Sequence, residues 1–174
     1  MLILGVDPGT ATTGYGIIEV KGNKYFSVDY GTILTEPSLE MPARLKLIND
    51  GLIKIINYYK PKHMAVEQLY FSKNIRTALS VGQARGVILL TGVQMNLHLA
   101  EYTPLQVKQA VVGYGRADKK QIQKMVATVL GSSTIPKPDD AADALAVAIC
   151  HANSYKLNSL FAGEKYDRAF KGNY

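Results

Sequence analysis

The first third of the chain alternates between nonpolar runs and polar turns, and this pattern predicts three strands. Residues 2–6 carry no polar side chain and stop at Asp7-Pro8-Gly9, which is typical of a strand that is buried on both faces and ends in a turn. Residues 15–20 and 25–34 are rich in β-branched and aromatic side chains on either side of a polar turn that contains a glycine. They predict an antiparallel hairpin directly after the first strand.

The middle of the chain predicts a helix, a second buried strand and a longer helix. From position 38 onward, apolar side chains recur every three or four residues until Lys60-Pro61, as in an amphipathic helix. Residues 63–66 form a short apolar run, and Glu67 follows it directly. Residues 74–95 predict a long helix, in which Gly82, Ala84 and Gly86 permit close packing against another element.

The last third predicts one more strand and three helices. Residues 97–102 form the strand, and Thr103-Pro104 is a favourable start for the next helix. Residues 113–116 interrupt that helix, Asp118 is expected to cap the following one, and Leu130-Gly131 ends it. We expect Asp139 to cap a final, mostly apolar helix over residues 139–153. The order of elements predicts an α/β fold with a mixed sheet, as a single domain over residues 1–155 followed by a flexible tail over 156–174.

Composition narrows the choice of partner and compartment. The 174 residues include 20 Lys and Arg against 14 Asp and Glu, a formal charge of +6 that suits a polyanionic partner or is simply that of a basic soluble protein. Much of the positive charge lies in segments that contain polar and Gly-rich turns. A single cysteine, the lack of an N-terminal signal pattern and the shortness of every apolar stretch lead us to expect a cytoplasmic protein.

Four acidic residues stand where strands end or where a helix is otherwise apolar: Asp7, Glu67, Asp140 and Asp143. Two unit charges 4 Å apart repel by about 4 kcal/mol at an effective dielectric of 20, so a cluster of carboxylates implies a cation. Oxygen ligands without any Cys/His pattern favour Mg²⁺ or Mn²⁺ over zinc. Two such ions could hydrolyse a phosphodiester, which makes this reaction the predicted chemistry.

Each acid also has a purely structural interpretation. Asp7 could be an ordinary turn former before Pro8-Gly9, and Glu67 is unremarkable by itself. Asp140 could cap the last helix, although we assign that role to Asp139. Asp143 is the hardest to explain structurally, because it interrupts the run Ala141-Ala142-Asp143-Ala144-Leu145-Ala146.

The motifs taken together resemble the RuvC Holliday-junction resolvases. The similarity spans residues 2–151 in the family's order. It consists of Gly5-Val6-Asp7-Pro8-Gly9 with Gly14-Tyr15-Gly16, Ala65-Val66-Glu67-Gln68, Gly82-Gln83-Ala84-Arg85-Gly86, Gln106-Val107-Lys108-Gln109 with Val112-Gly113, and Asp140-Ala141-Ala142-Asp143-Ala144-Leu145-Ala146. The resemblance implies a ribonuclease-H-like fold with a five-stranded mixed sheet flanked by helices. It also implies a homodimer that makes paired, symmetric, Mg²⁺-dependent nicks in a four-way DNA junction, and contact with the RuvA-RuvB branch-migration complex.

Carried over position by position, the resemblance assigns roles to individual residues. Asp7, Glu67, Asp140 and Asp143 resemble the family's metal-binding acids, with two ions expected per site. Lys108 and Lys119 are similar to basic residues beside the junction's phosphates, and Tyr70 stands where many members have a phenylalanine that stacks near the crossover. We also predict DNA contacts for Lys73 and Arg116. The helix with Gly82–Gly86 resembles the dimer-forming element.

The remaining polar candidates have structural interpretations that we prefer. His63 and His98 are expected in core or surface roles, and His151 is expected near the end of the last helix, where it would interact with the helix dipole. Arg85 could bind DNA or form a structural hydrogen bond in the dimer.

Three rival functions fit parts of the sequence. Asp7-Pro8-Gly9-Thr10 also resembles the phosphate loop of actin-like ATPases, but those proteins need two lobes and this chain has sequence for one. A nuclease of the same fold that acts on an RNA precursor is a closer rival. A junction-binding module without catalysis predicts loss of an acid, and all four are present.

Overall fold

The computed structural model describes residues 1–68 and 75–161, with side chains described outside 75–77 and 157–161. Five strands and five helices lie in these ranges. In chain order they are β1 (Leu2–Asp7), β2 (Thr12–Lys21), β3 (Lys24–Leu34), α1 (Met41–Tyr59), β4 (His63–Glu67), α2 (Ile75–Gln94), β5 (His98–Tyr102), α3 (Pro104–Val112), α4 (Lys119–Val129) and α5 (Asp139–Phe161).

The strands form one mixed sheet in the order β3-β2-β1-β4-β5. β1 pairs antiparallel with β2 and parallel with β4, and β5 continues the sheet in parallel with β4. The opening hairpin and the mixed sheet are therefore confirmed. β2 begins at Thr12, three residues before the predicted start, because Thr12 and Thr13 pair with Leu34 and Ile33 of β3.

Helices cover both faces of the sheet. Apolar residues of β1 alternate between the two cores: Ile3 packs with α3, α4 and α5, whereas Leu4 packs with α1 and α2. Both side chains are fully buried, which confirms that the first strand is central and apolar throughout. None of the described helices is both long and apolar enough to cross a bilayer.

Local capping chemistry fixes the helices on the β5 side of the sheet. Thr103 and Asp118 each form a reciprocal capping box with the glutamine three residues later, at the starts of α3 and α4. Gly113 ends α3 with φ of 85°, a conformation that favours glycine. The predicted boundaries of these two helices are confirmed.

The last helix differs from its prediction at both ends. α5 continues to Phe161, so the predicted end of the helix at 153 is wrong. The flexible tail over 156–174 stays a prediction, and residues 162–174 lie outside the described part of the chain. Asp139 is the first helical residue and its carboxylate contacts Lys137 and Lys119, while the carbonyl of Pro138 accepts from Ala141 and Ala142. Asp139 is thus part of the first turn, and its predicted capping role is wrong.

The extension of α5 also changes the role of His151. It lies in the middle of the helix, buried, where backbone carbonyls are already paired and the dipole is weak. Its Nδ1 lies 2.8 Å from the Tyr102 hydroxyl and its Nε2 lies 3.1 Å from Nδ1 of His63. The predicted dipole contact is therefore wrong, and the side chain instead links α5 to β5 and β4.

Two glycines allow α5 to lie directly on the sheet. A Cβ atom at Gly5 would stand 2.0 Å from the carbonyl oxygen of Ala144, and one at Gly14 would stand 2.0 Å from that of Asp140. Both obstacles are backbone atoms, which cannot rotate aside. The first two turns of α5 therefore approach β1 and β2 more closely than any side chain at these positions permits.

We predict that Gly5→Ala destabilises the fold by about 1–3 kcal/mol or more, because the added methyl forces α5 away from β1. Urea denaturation measures the loss. Gly31→Ala is the matched control in an edge strand: its Cβ meets only side-chain atoms of Tyr15, the nearest at 3.0 Å, and a stability within about 1 kcal/mol of the wild type is expected. Equal stability of both variants would contradict the proposed close packing.

Candidate active site: four carboxylates at one end of the sheet

The four predicted acids come together at one end of the sheet. Asp7 is the last residue of β1 and Glu67 the last residue of β4. These strands are parallel neighbours, in register at Val6 and Val66, so their carboxyl-terminal ends lie side by side. Asp140 and Asp143 lie in the first turns of α5, which packs across the same strands.

The glycine contact of α5 determines how close the helical acids come to the strands. Gly14 is paired with Asp7 across β1 and β2, and it is also the residue whose Cα faces the backbone of Asp140. Asp143 follows three residues later, so it projects from nearly the same side of the helix. The sheet and the helix thus present carboxylates toward a shared volume.

Burial and mutual repulsion raise the pKa of Asp7 to about 8. The largest cause is desolvation, followed by the charges of Glu67, Asp143 and Asp140 and by a hydrogen bond with Glu67. This hydrogen bond favours the protonated form of Asp7 and the charged form of Glu67, so the proton of the pair resides on Asp7. The cluster therefore holds a proton at neutral pH when no cation compensates its charge.

Two lysines partly offset the negative charge. Burial and the charge of Asp143 raise the pKa of Glu67, while Lys108 and Lys119 act against that rise. Burial also raises the pKa of Asp143, against the opposing effect of the Lys119 ammonium 3.0 Å from its Oδ2. Burial alone lowers the pKa of Lys119, but its bond to Asp143 outweighs this and the net shift is upward.

A cleft of about 250 Å³ opens beside the carboxylates on the α5 face of the sheet. Its walls are Glu67, Pro104, Val107, Lys108, Lys119, Ile122, Asp143 and Ala146. Two of the predicted DNA-binding residues, Lys108 and Lys119, thus line the same cleft as two of the acids. This arrangement places positive charge next to the groups that would otherwise repel a phosphate.

The other predicted DNA-binding residues are not in this cleft or are not described. Arg116 is exposed on the turn between α3 and α4 and does not line the cleft. Tyr70 and Lys73 lie outside the described residues. Arg85 forms an ion pair with Glu101 of β5 inside the same chain, an interaction between α2 and the edge strand that the sequence did not indicate.

The donor set fits a hard divalent cation. Every side chain in the cluster offers carboxylate oxygen, the ligand type that Mg²⁺ prefers, and burial together with the charges of the other three acids raises the pKa of Asp7. Within residues 1–68 and 75–161, no three His, Cys, Asp or Glu side chains already surround one ion position. The acids are therefore neighbours whose side chains would have to rotate to surround one ion, and Asp143 would then lose its bond with Lys119.

Acids at the ends of two adjacent parallel strands and on the helix that crosses them are suited to metal-assisted phosphodiester hydrolysis, which is the chemistry of a nuclease. A profile of the family described as "Crossover junction endodeoxyribonuclease RuvC" matches residues 3–151. Relatives of that name from Halothermothrix orenii and Desulforamulus reducens are 61% and 59% identical, over 91% and 94% of this chain and 96% and 98% of theirs.

The structural comparison agrees with the sequence comparison. Thermus thermophilus RuvC in complex with Holliday junction substrate superposes with a TM-score of 0.87 at 32% identity, covering 91% of this chain and 97% of that one. The chain belongs to the RuvC family of crossover junction endodeoxyribonucleases. Nucleases of this family are metal-dependent.

We predict that Asp7→Asn stabilises the protein in EDTA at pH 8. The folded pKa of Asp7 is raised, so the stability contributed by its protonated form is fully present below about pH 3.8 and is lost as the pH rises to about 8. Asparagine does not ionise, so the variant should gain about 1–3 kcal/mol over the wild type at pH 8 and little at pH 4. Urea denaturation at both pH values measures the difference.

Asp50→Asn provides a control of opposite sign. The bond with Lys46 lowers the pKa of this exposed carboxyl, so its contribution is present above about pH 3.8 and is lost as the pH falls. This variant should be no more stable than the wild type at pH 8. If the stability that Asp7→Asn gains over the wild type is no larger at pH 8 than at pH 4, the pKa of Asp7 is not raised as described above.

Proposed function

We propose that this protein resolves four-way DNA junctions in homologous recombination and DNA repair by paired, symmetric nicks, with Asp7, Glu67, Asp140 and Asp143 as its metal-binding acids. The observation that carries the proposal is the convergence of these four acids on one end of the sheet, beside a cleft lined by Lys108 and Lys119. Family membership supports the substrate.

The cation is Mg²⁺, because all four donors are carboxylates, and Mn²⁺ is able to replace it. Asp7, Glu67 and Asp143, together with Asp140, provide enough carboxylate oxygen for two ions. The chemistry that such a pair supplies is activation of water and stabilisation of the leaving oxygen of a phosphodiester. In the overall reaction water adds to phosphorus, the bond to the 3′ oxygen breaks and that oxygen takes up a proton. The products are a 5′-phosphate and a 3′-hydroxyl, which a ligase can join.

The chain's own residues bind and orient the DNA strand. Lys108 and Lys119 attract the phosphates next to the cut and reduce their repulsion from the carboxylates. If Asp143 held a cation, the ammonium of Lys119 would no longer be paired with it and would be available to a phosphate oxygen. The DNA contacts of Lys73 and Arg116 remain predictions within this proposal. The same holds for stacking of a base on Tyr70.

A homodimer is supported by the outer face of α2. Leu79, Leu90 and Val93 are 66%, 56% and 60% exposed, and Gly86 has open space where a side chain would project. At 3.6 residues per turn these positions fall within about 60° of one another around the helix. A two-fold contact along this apolar face would give one catalytic site for each of two symmetric cuts.

The compartment and the wider assembly follow from the proposed reaction. We place the enzyme in the cytoplasm with chromosomal DNA, where the buried thiol of Cys150 stays reduced. Action together with a RuvA-RuvB branch-migration complex rests on family membership alone.

Asp7→Asn should abolish cutting of a synthetic four-way junction in Mg²⁺ by at least about 100-fold while junction binding persists, because one metal ligand is lost and no DNA contact is. Asp50→Asn, far from the cluster, should cut like the wild type. Added Mg²⁺ should also raise the melting temperature of the wild type more than that of Asp7→Asn. Normal cutting by Asp7→Asn would remove Asp7 from the site.

The substrate is tested with the wild type on four-way, three-way and linear DNA and on an RNA-DNA hybrid, each with and without Mg²⁺. Junction resolution predicts paired nicks in the four-way DNA only when Mg²⁺ is present. Equal cutting of all four substrates contradicts resolution, and preferred cutting of the hybrid favours the RNA nuclease instead.

Leu90→Glu should convert the dimer to a monomer at micromolar concentration, because a charge then lies at the centre of an apolar contact. Sedimentation velocity measures the mass in solution. Leu47→Glu, at an exposed leucine of α1, is the matched control and should leave the mass unchanged. A wild type that sediments as a monomer contradicts the dimer itself.

A further inference from the structure

The guanidinium of Arg44, near the start of α1, is connected by hydrogen bonds to the loop that follows Asp7. Nε of Arg44 donates to Oγ1 of Thr35 at 2.8 Å, and that hydroxyl donates in turn to the carbonyl oxygen of Thr10 at 2.6 Å. The backbone N–H of Thr35 also donates to the carbonyl of Ala11 at 3.0 Å. Thr35 is buried, so one rigid connection joins α1 to the loop beside the carboxylates.

Arg44 lies at the same end of the sheet as the acids but on the other side of them from the cleft. Thr35 directly follows β3, whose last residue pairs with the first residue of β2, and this is the end at which Asp7 completes β1. β1 and β3 are separated by one strand, which is about 10 Å at normal strand spacing. The cleft with Lys108 lies toward β5 on the α5 face of the sheet, whereas α1 covers the other face. In the strand order, the acids of β1 and β4 therefore stand between the β3 end, where Thr35 and Arg44 lie, and the cleft.

The charge of Arg44 has no acidic partner among the described residues. Glu36 and Glu40 are exposed in the segment between β3 and α1, and neither forms an ion pair with the guanidinium. Arginine has five N–H donors in a planar fork that matches phosphate oxygens, and only Nε is committed to Thr35. A half-buried, anchored and unneutralised guanidinium is suited to bind an anion with little loss of side-chain entropy.

We propose that Arg44 binds a backbone phosphate of the cut strand on the β3 side of the scissile phosphate, opposite the phosphates held by Lys108 and Lys119. The proposal rests on the proposed function, because it assumes that DNA crosses the carboxylates. Along the axis of duplex DNA, where one strand carries one phosphate per 3.4 Å, a separation of about 10 Å corresponds to about three nucleotides. Contacts on both sides fix the scissile phosphate above the acids, so Arg44 is a positioning residue.

The alternative is that Arg44 only braces the loop through Thr35. The two roles predict different behaviour of Arg44→Gln and Arg44→Lys, because a phosphate contact depends on charge and a brace depends on the Nε donor. The dissociation constant of a four-way junction is measured in EDTA, which prevents cutting, at several salt concentrations. Lys108→Gln serves as a positive control, and Lys54→Gln, an exposed residue far along α1, as the matched neutral control.

A phosphate contact predicts that Arg44→Gln weakens binding about tenfold and reduces the slope of log K against log salt by about 0.9 per protomer, as Lys108→Gln does. Arg44→Lys keeps the wild-type slope, and Lys54→Gln changes neither quantity. If Arg44→Gln lowers the melting temperature but keeps the wild-type slope, the brace is its whole function and the proposal fails. A wild type that does not bind the junction refutes the proposed function instead.

A second measurement does not need any Arg44 variant to fold. Single neutral methylphosphonates are placed at successive positions on both sides of the cut, and binding by the wild type and by Lys108→Gln is compared. The proposal requires sensitive phosphates on both sides, of which one side stays sensitive in Lys108→Gln. It is overturned if no phosphate on the side of the cut opposite the Lys108 and Lys119 contacts is sensitive in the wild type, or if none there stays sensitive in Lys108→Gln.

Discussion

The close contact between α5 and the first two strands is the constraint on which the site depends. Gly5 and Gly14 leave room for backbone carbonyls of the helix at positions where any side chain would collide with them. This contact brings the helical acids to the ends of strands that carry their own acids. A helix held a side chain's width away would leave Asp140 and Asp143 too far from Asp7 and Glu67 to share a cation.

Repulsion between the carboxylates of the site lowers the stability of the fold. Four acids at a partly buried place cost free energy, and a proton on Asp7 that is hydrogen-bonded to Glu67 reduces this cost, as does the ammonium of Lys119. The apolar packing of α5, whose residues from Ala144 to Ala148 are almost completely buried, provides the opposing stabilisation. The core thus holds the acids in place where electrostatics alone would separate them.

Polar links tie the site to both flanks of the sheet. On the β5 side, Tyr102 and His151 connect α5 to the edge of the sheet through a half-buried hydrogen bond. On the β3 side, Thr35 holds the loop after Asp7. The acids therefore lie on elements that are held from two directions, as preorganised binding of a phosphodiester requires.

The pattern of the sequence determined most of the secondary structure, because strands, helix caps and turns depend on residues that are neighbours in the chain. The buried first strand, the hairpin, the capping boxes of α3 and α4 and the positions of the four acids on strand ends and on the last helix could all be read from the sequence. Tertiary structure alone decided the length of α5, the place of His151, the pairing of Arg85 with Glu101 and the link from Arg44 to the loop after Asp7. Each of these depends on groups far apart in the chain, whose meeting is decided by packing and leaves no periodic or local signal.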